Sequence, residues 1–212
     1  AVITDYLIQY SSNSGSTWTT FADGTSSSTS AIVTGLTNGT SYTFRVAAVN
    51  NVGAGSYSAA SSAVTPVTTA GAPTAVAGTA GNTQVSLTWA APASDGGAAI
   101  TDYIVQSSTD GTNWTTFADG TSTATSATVT GLTNGTAYTV RVLAVNVAGD
   151  GASAQVTAKI TPRGLPAAPT ISAVDSEDQK LVVKWRALTG NGTNGSAITK
   201  YTAVASPSGK SC

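Results

Sequence analysis

The segment GLTNGTSYTFRV at residues 35–46 returns as GLTNGTAYTVRV at residues 131–142, a spacing of 96 (131 − 35). A period near one hundred is the size of a whole small domain and far too long for a solenoid repeat. The chain must therefore build the same domain more than once. Trp89 and Trp185 keep the same spacing of 96 (185 − 89), so a third copy follows.

Side-chain alternation says what each copy is made of. In TAYTVRVLAVN, Tyr138, Val140, Val142 and Ala144 point one way and Thr139, Arg141 and Leu143 the other, the period of a half-buried strand. The first copy keeps that inward set as Tyr42, Phe44, Val46 and Ala48. Val85, Leu87 and Trp89 in QVSLTW, and Leu181, Val183 and Trp185 in KLVVKW, form a second inward set. Further short β-branched segments lie between them, ITDYIVQSS, SATVTGL and SAQVTAKI, each bounded by Gly, Asn, Asp or Pro. No segment longer than a turn has the 3.6-residue period of a helix. Seven short strands per period predict an antiparallel β-sandwich.

QVSLTW, ITDYIVQ and GLTNGTAYTVRVLAVN together resemble a fibronectin type III domain, of the Ser/Thr/Gly-rich kind found in bacterial extracellular and phage structural proteins. The resemblance implies an all-β, immunoglobulin-like sandwich of strands A to G, with Trp89 at the core centre. It also implies a tyrosine corner in which Leu132 is paired with Tyr138, and Leu36 with Tyr42. A buried tyrosine ring needs a partner for its hydroxyl, and a bond back to the loop pins the crossing between sheets.

On this pattern residues 1–65 are a partial copy (strands C to G), 66–71 a linker, 72–161 a complete copy, 162–165 a linker and 166–212 a partial copy (strands A to C). The linkers contain proline and read as semi-rigid spacers. Incomplete sandwiches expose core and edge strands, so something must complete them. The expectation is a window on a longer array; the alternative is strand donation between copies. An odd strand number places the termini of each copy at opposite poles, which predicts copies strung end to end as a rod.

Charged residues are only 9% of the chain, against roughly a quarter in an average soluble domain. The net charge of -1 divides as -5 over residues 1–158 and +4 over 159–212. The C-terminal bases are dispersed and lack interleaved aromatics, which argues against nucleic acid. No run approaches a membrane span. With no His, one Glu (Glu177) and one Cys, neither a nucleophilic triad nor a zinc site can be assembled, and the aspartates sit singly in Asp-Gly turns. We expect no enzyme, no cofactor and no metal; a calcium site built from carboxylates and carbonyls of adjacent loops stays open, although no D-x-D-x-D run is present.

Three residues remain as candidate contacts with a polysaccharide or surface receptor. Trp18 and Trp114 recur in GSTWTTF and GTNWTTF, outside the core set; each ring either stacks on sugars or covers its neighbouring strand near Phe21 or Phe117. Asp150 lies in the loop NVAGDGAS. Cys212 resembles a family cysteine that pairs with a partner a few residues on, here beyond the sequence, which implies an oxidising compartment. These readings predict a non-catalytic rod-like spacer or filament element. It would be extracellular or on a cell or virion surface, with neighbouring domains or copies of itself as partners. The alternative is an adhesive or carbohydrate-binding accessory module, and a third reading makes it an accessory segment of a secreted polysaccharide hydrolase.

Overall fold

The computed structural model describes residues 1–205, whose strands pair antiparallel and are joined by loops, with a single 3-10 turn among the described residues at Gly190–Thr193. The first repeat supplies β1 (Ile3–Ser11), β2 (Thr19–Phe21), β3 (Thr43–Asn50) and β4 (Gly53–Ala54), in the sheet order β2-β1-β3-β4. The second supplies seven strands: β5 (Thr74–Gly81), β6 (Gln84–Ala90), β7 (Asp102–Ser108), β8 (Thr115–Thr116), β9 (Ser126–Val129), β10 (Thr139–Asn146) and β11 (Gly149–Gln155). They make a three-stranded sheet, β5-β6-β9, and a four-stranded one, β11-β10-β7-β8. The third repeat supplies the hairpin β12 (Ile171–Glu177) and β13 (Lys180–Trp185).

The chain divides into two compact units that do not coincide with the repeats. One contains Ala1–Gly71 with the segments Pro92–Asp102 and Ala144–Ala152; the other contains Ala72–Ala91, Tyr103–Leu143 and the chain from Ser153 onward.

The second unit holds the sandwich core. Val85, Leu87 and Trp89 of β6 alternate with exposed Ser86 and Thr88, as a strand with one dry face must. Val85, Leu87, Val105, Val140 and Val142 are all fully buried, and Trp89 meets Tyr103 edge to face with centroids 5.4 Å apart. Burying a valine or leucine of this kind contributes about 1.5–3 kcal/mol. Trp185 and Tyr201 repeat the ring pair at 5.6 Å. At the corner after β9, Leu132 is buried and the Tyr138 hydroxyl accepts from the Thr133 backbone N–H at 3.1 Å. Tyr138 also pairs with Ile160 by two backbone bonds.

The first unit repeats the corner: the Thr37 N–H donates to the Tyr42 hydroxyl at 3.0 Å. Its sheet departs from the expected inward set. Tyr42 is buried, but Val46 is 38% exposed, and Tyr6, Ile8, Phe44 and Val46 line a cavity of 420 Å³ closed on one side by residues between 28 and 33. The equivalent Tyr103, Val105, Val140 and Val142 are covered in the second repeat, where β5, β6 and β9 face them; no described strand lies over the first set. The same cause explains SAIVTGL at 30–36, which forms no strand: β9, its equivalent, exists by pairing with β6. ITKYTAVAS likewise forms no strand over its described residues, because its equivalent β7 draws its hydrogen bonds from β10 and β8, and the third repeat has no described counterpart of either.

Candidate functional site

The outer face of the four-stranded sheets carries the two candidate tryptophans, and cross-strand register decides what they touch. In the first repeat Gln9 of β1 lies opposite Thr20 of β2 on one side and Arg45 of β3 on the other. Side chains directly opposite on one face interact. Gln9 donates its amide N–H to Thr20 Oγ1 at 3.0 Å and accepts from Arg45 Nε at 2.9 Å. The guanidinium so fixed lies 4.2 Å from the centroid of Trp18 and 4.3 Å from that of Tyr57, between two aromatic faces.

The second repeat builds the same ladder. Gln106 donates to Thr116 Oγ1 at 3.0 Å and accepts from Arg141 Nε at 2.7 Å, and Arg141 lies 4.0 Å above Trp114. Position 153, which corresponds to Tyr57, is a serine, so this ladder ends on the guanidinium. Both tryptophans are half-buried. Each ring thus carries an arginine over one of its faces. The signal was present in the sequence as the repeated Gln, Arg and Trp at matched positions, but only the register joins them.

The loop before Trp114 owes its shape to Asp110. Its carboxylate accepts from the Asn113 side chain at 2.7 Å, from the Asn113 and Thr112 backbone N–H groups at 2.8 and 2.7 Å, and from Ser108 Oγ at 3.0 Å. These bonds, led by that from the Asn113 side chain, hold the carboxyl well below the ordinary carboxylate range. Asn13 holds the corresponding turn of the first repeat, which is one residue longer, accepting from Ser11 Oγ at 2.8 Å and the Thr17 N–H at 2.9 Å. Asp110 is thus a turn acceptor.

Asp150, expected in a loop, is exposed on β11. Cys212 falls outside the described residues. Among the described residues no three His, Cys, Asp or Glu side chains gather as a metal site, and no helix is long and apolar enough to cross a membrane. The clustered polar groups can orient one another, and none is placed as an acid and base about a common point.

The Fibronectin type III domain family matches residues 1–64 and again 71–159. Chitinase A1 of Niallia circulans is 38% identical over 155 residues, an alignment that covers 68% of this chain and 21% of that protein. Cardiac-type Myosin-binding protein C of Gallus gallus is 30% identical over 151 residues, covering 70% and 12%. The chain thus spans about a fifth or less of these relatives. Among solved structures, titin domains superpose with a TM-score of 0.49 at 26% identity, covering 74% of this chain and 55% of that one. Chicken CNTN1 FN1-FN3 domains superpose at 0.41 and 17%, covering 76% and 56%. With the Trp89 core, the two tyrosine corners and two successive family matches in hand, the chain belongs to the fibronectin type III family and carries its domains in tandem.

Proposed function

We propose that this chain is a non-catalytic structural segment of a larger secreted or surface protein, a spacer or fibre element that sets the distance between other modules. The observation that carries the reading is the closed ladder: Thr116, Gln106, Arg141 and Trp114 satisfy one another, as do Thr20, Gln9, Arg45 and Trp18. A surface whose aromatic and cationic groups are mutually engaged has little left to offer a ligand. The low charge and the Ser/Thr-rich composition suit an extracellular, cell-surface or virion-surface setting. Neighbouring domains and further copies of the repeat are the natural partners.

A second reading draws on one specific similarity, that to Chitinase A1. In it, the chain is an accessory of a secreted polysaccharide hydrolase, and Trp18 and Trp114 meet the polymer once their arginines swing away. Titration of the labelled chain with soluble chito-oligosaccharides, followed at the tryptophan indole N–H signals, tests both. The spacer reading expects those signals to stay in place. Saturable shifts at Trp114 would replace it with the accessory reading.

A further inference from the structure

The two inter-repeat connections make the same backbone contacts. The Thr-Asn-Gly-Thr loop at 37–40 is bonded to the residues after its own repeat, Gly39 N–H donating to the Pro66 carbonyl at 2.9 Å; at 133–136, Gly135 N–H donates to the Pro162 carbonyl at 2.9 Å. Two residues beyond each proline the chain bonds to a loop of the following repeat. Thr68 N–H donates to the Gly96 carbonyl, and Gly164 N–H to the Asn194 carbonyl, both at 2.9 Å. The next residues, Gly97 and Gly195, then press on the first loop. A Cβ on Gly97 would fall on the Gly39 nitrogen, and one on Gly195 would stand 2.6 Å from the Gly135 nitrogen. Real Cβ atoms do not approach backbone so closely, and φ values of +87 and +85 independently favour glycine.

Side chains complete each connection differently. In the first, the buried Asn146 amide donates to the carbonyls of Thr68 at 2.8 Å and Asp95 at 2.6 Å, and Gly71 N–H donates to Ser94 at 2.9 Å. In the second, Asn134 Nδ2 donates to Asn82 Oδ1 at 2.7 Å and Asn194 Oδ1 at 2.5 Å, while Asn194 Nδ2 donates to the Leu165 carbonyl at 2.7 Å. Pro162 is fully buried. Each set lies within one compact unit, so residues 66–71 and 162–165 behave as docked chain rather than free spacers.

We propose that the Thr-Asn-Gly-Thr loop and the residues after the proline form a docking surface for the next repeat of the same kind. Admission depends on glycine at the position of Gly97 and Gly195. The partner is defined by that glycine and by the carbonyl preceding it, which receives the N–H of Thr68 or Gly164. A repeat bearing any other residue there is refused by its own Cβ. The docking is independent of whether the chain is a spacer or a polysaccharide accessory.

Amide hydrogen exchange on the full chain tests it. Gly97→Ala should speed exchange of the Thr68 and Gly71 amides by about tenfold or more while Val156 and Ile160 stay protected. Gly131→Ala is the control, since Gly131 has φ +75 and nothing within 4 Å of a Cβ; it should leave Thr68 and Gly71 unchanged. Should Gly97→Ala lose protection at Val156 and Ile160 as well, Asn146→Ala, which adds no atoms, becomes the deciding variant with the same selective increase expected. Unchanged exchange at Thr68 and Gly71, or an equal rise in the control, overturns the proposal.

Discussion

The Arg141 guanidinium lies 4.0 Å above the ring of Trp114, and Gln106, opposite Thr116, holds it there through Nε. A cation over an aromatic face at an exposed site contributes about 0.5–1 kcal/mol, and the hydrogen bond adds a comparable amount. Arg141→Ala should therefore lower the stability of the chain by about 1–2 kcal/mol in urea unfolding. Arg141→Lys should restore only part of it, because an ammonium lacks the planar fork that both stacks and bonds sideways. Full rescue by lysine would show that charge alone matters and that stacking does not.

Tyr138→Phe removes one hydroxyl from the corner and leaves the Thr133 N–H without its acceptor. The expected loss is about 1 kcal/mol, seen as a lower melting temperature with an unchanged circular dichroism spectrum. Tyr42→Phe should behave alike, since the Thr37 bond is the same contact one period earlier.

Val46 and Val142 occupy one repeat position and differ in burial, 38% against 0% exposed. Val142→Ala should cost about 2 kcal/mol and Val46→Ala less than about 0.5, read from denaturation midpoints. Trp89→Ala empties the centre of the same core and should cost about 3–5 kcal/mol. Equal effects at the two valines would mean that the cavity beside Val46 is filled in solution.

Asp110 titrates below its unfolded range because four hydrogen bonds favour its charged form. Its stabilising contribution is complete above the unfolded pKa of about 4 and is lost as pH falls from there through the lowered folded value. Asp110→Asn should flatten the acid limb of a melting-temperature profile taken between about pH 2 and 7. Near neutral pH the variant should fold normally, since Asn13 already shapes the equivalent turn.

Much of this was legible without coordinates wherever one residue's environment follows from its neighbours in the chain. Val85, Leu87 and Trp89, and Val140, Val142 and Ala144, alternate with polar residues, and a period of two has only one dry face to offer. The tyrosine corner at Leu132 and Tyr138 was legible only through the resemblance to the fibronectin type III family, which implied it. The Arg141 contact was not, because Trp114 lies 27 residues away (141 − 114) and only the pairing of Gln106 with Thr116 brings the two rows together. Gly97 reads locally as a turn glycine; its closeness to Gly39 depends on backbone that the pattern leaves unplaced. Val46 shows the reverse limit, since alternation marks a face as apolar without saying what covers it.

The central claim is that the tryptophans are occupied by the protein itself and that the chain spaces rather than binds. Depletion of the full chain from solution by insoluble chitin and by cellulose tests this most directly, with the Trp18→Ala and Trp114→Ala double variant alongside. The account predicts that wild type and variant both stay in solution; saturable adsorption of the wild type that the double variant loses would contradict it.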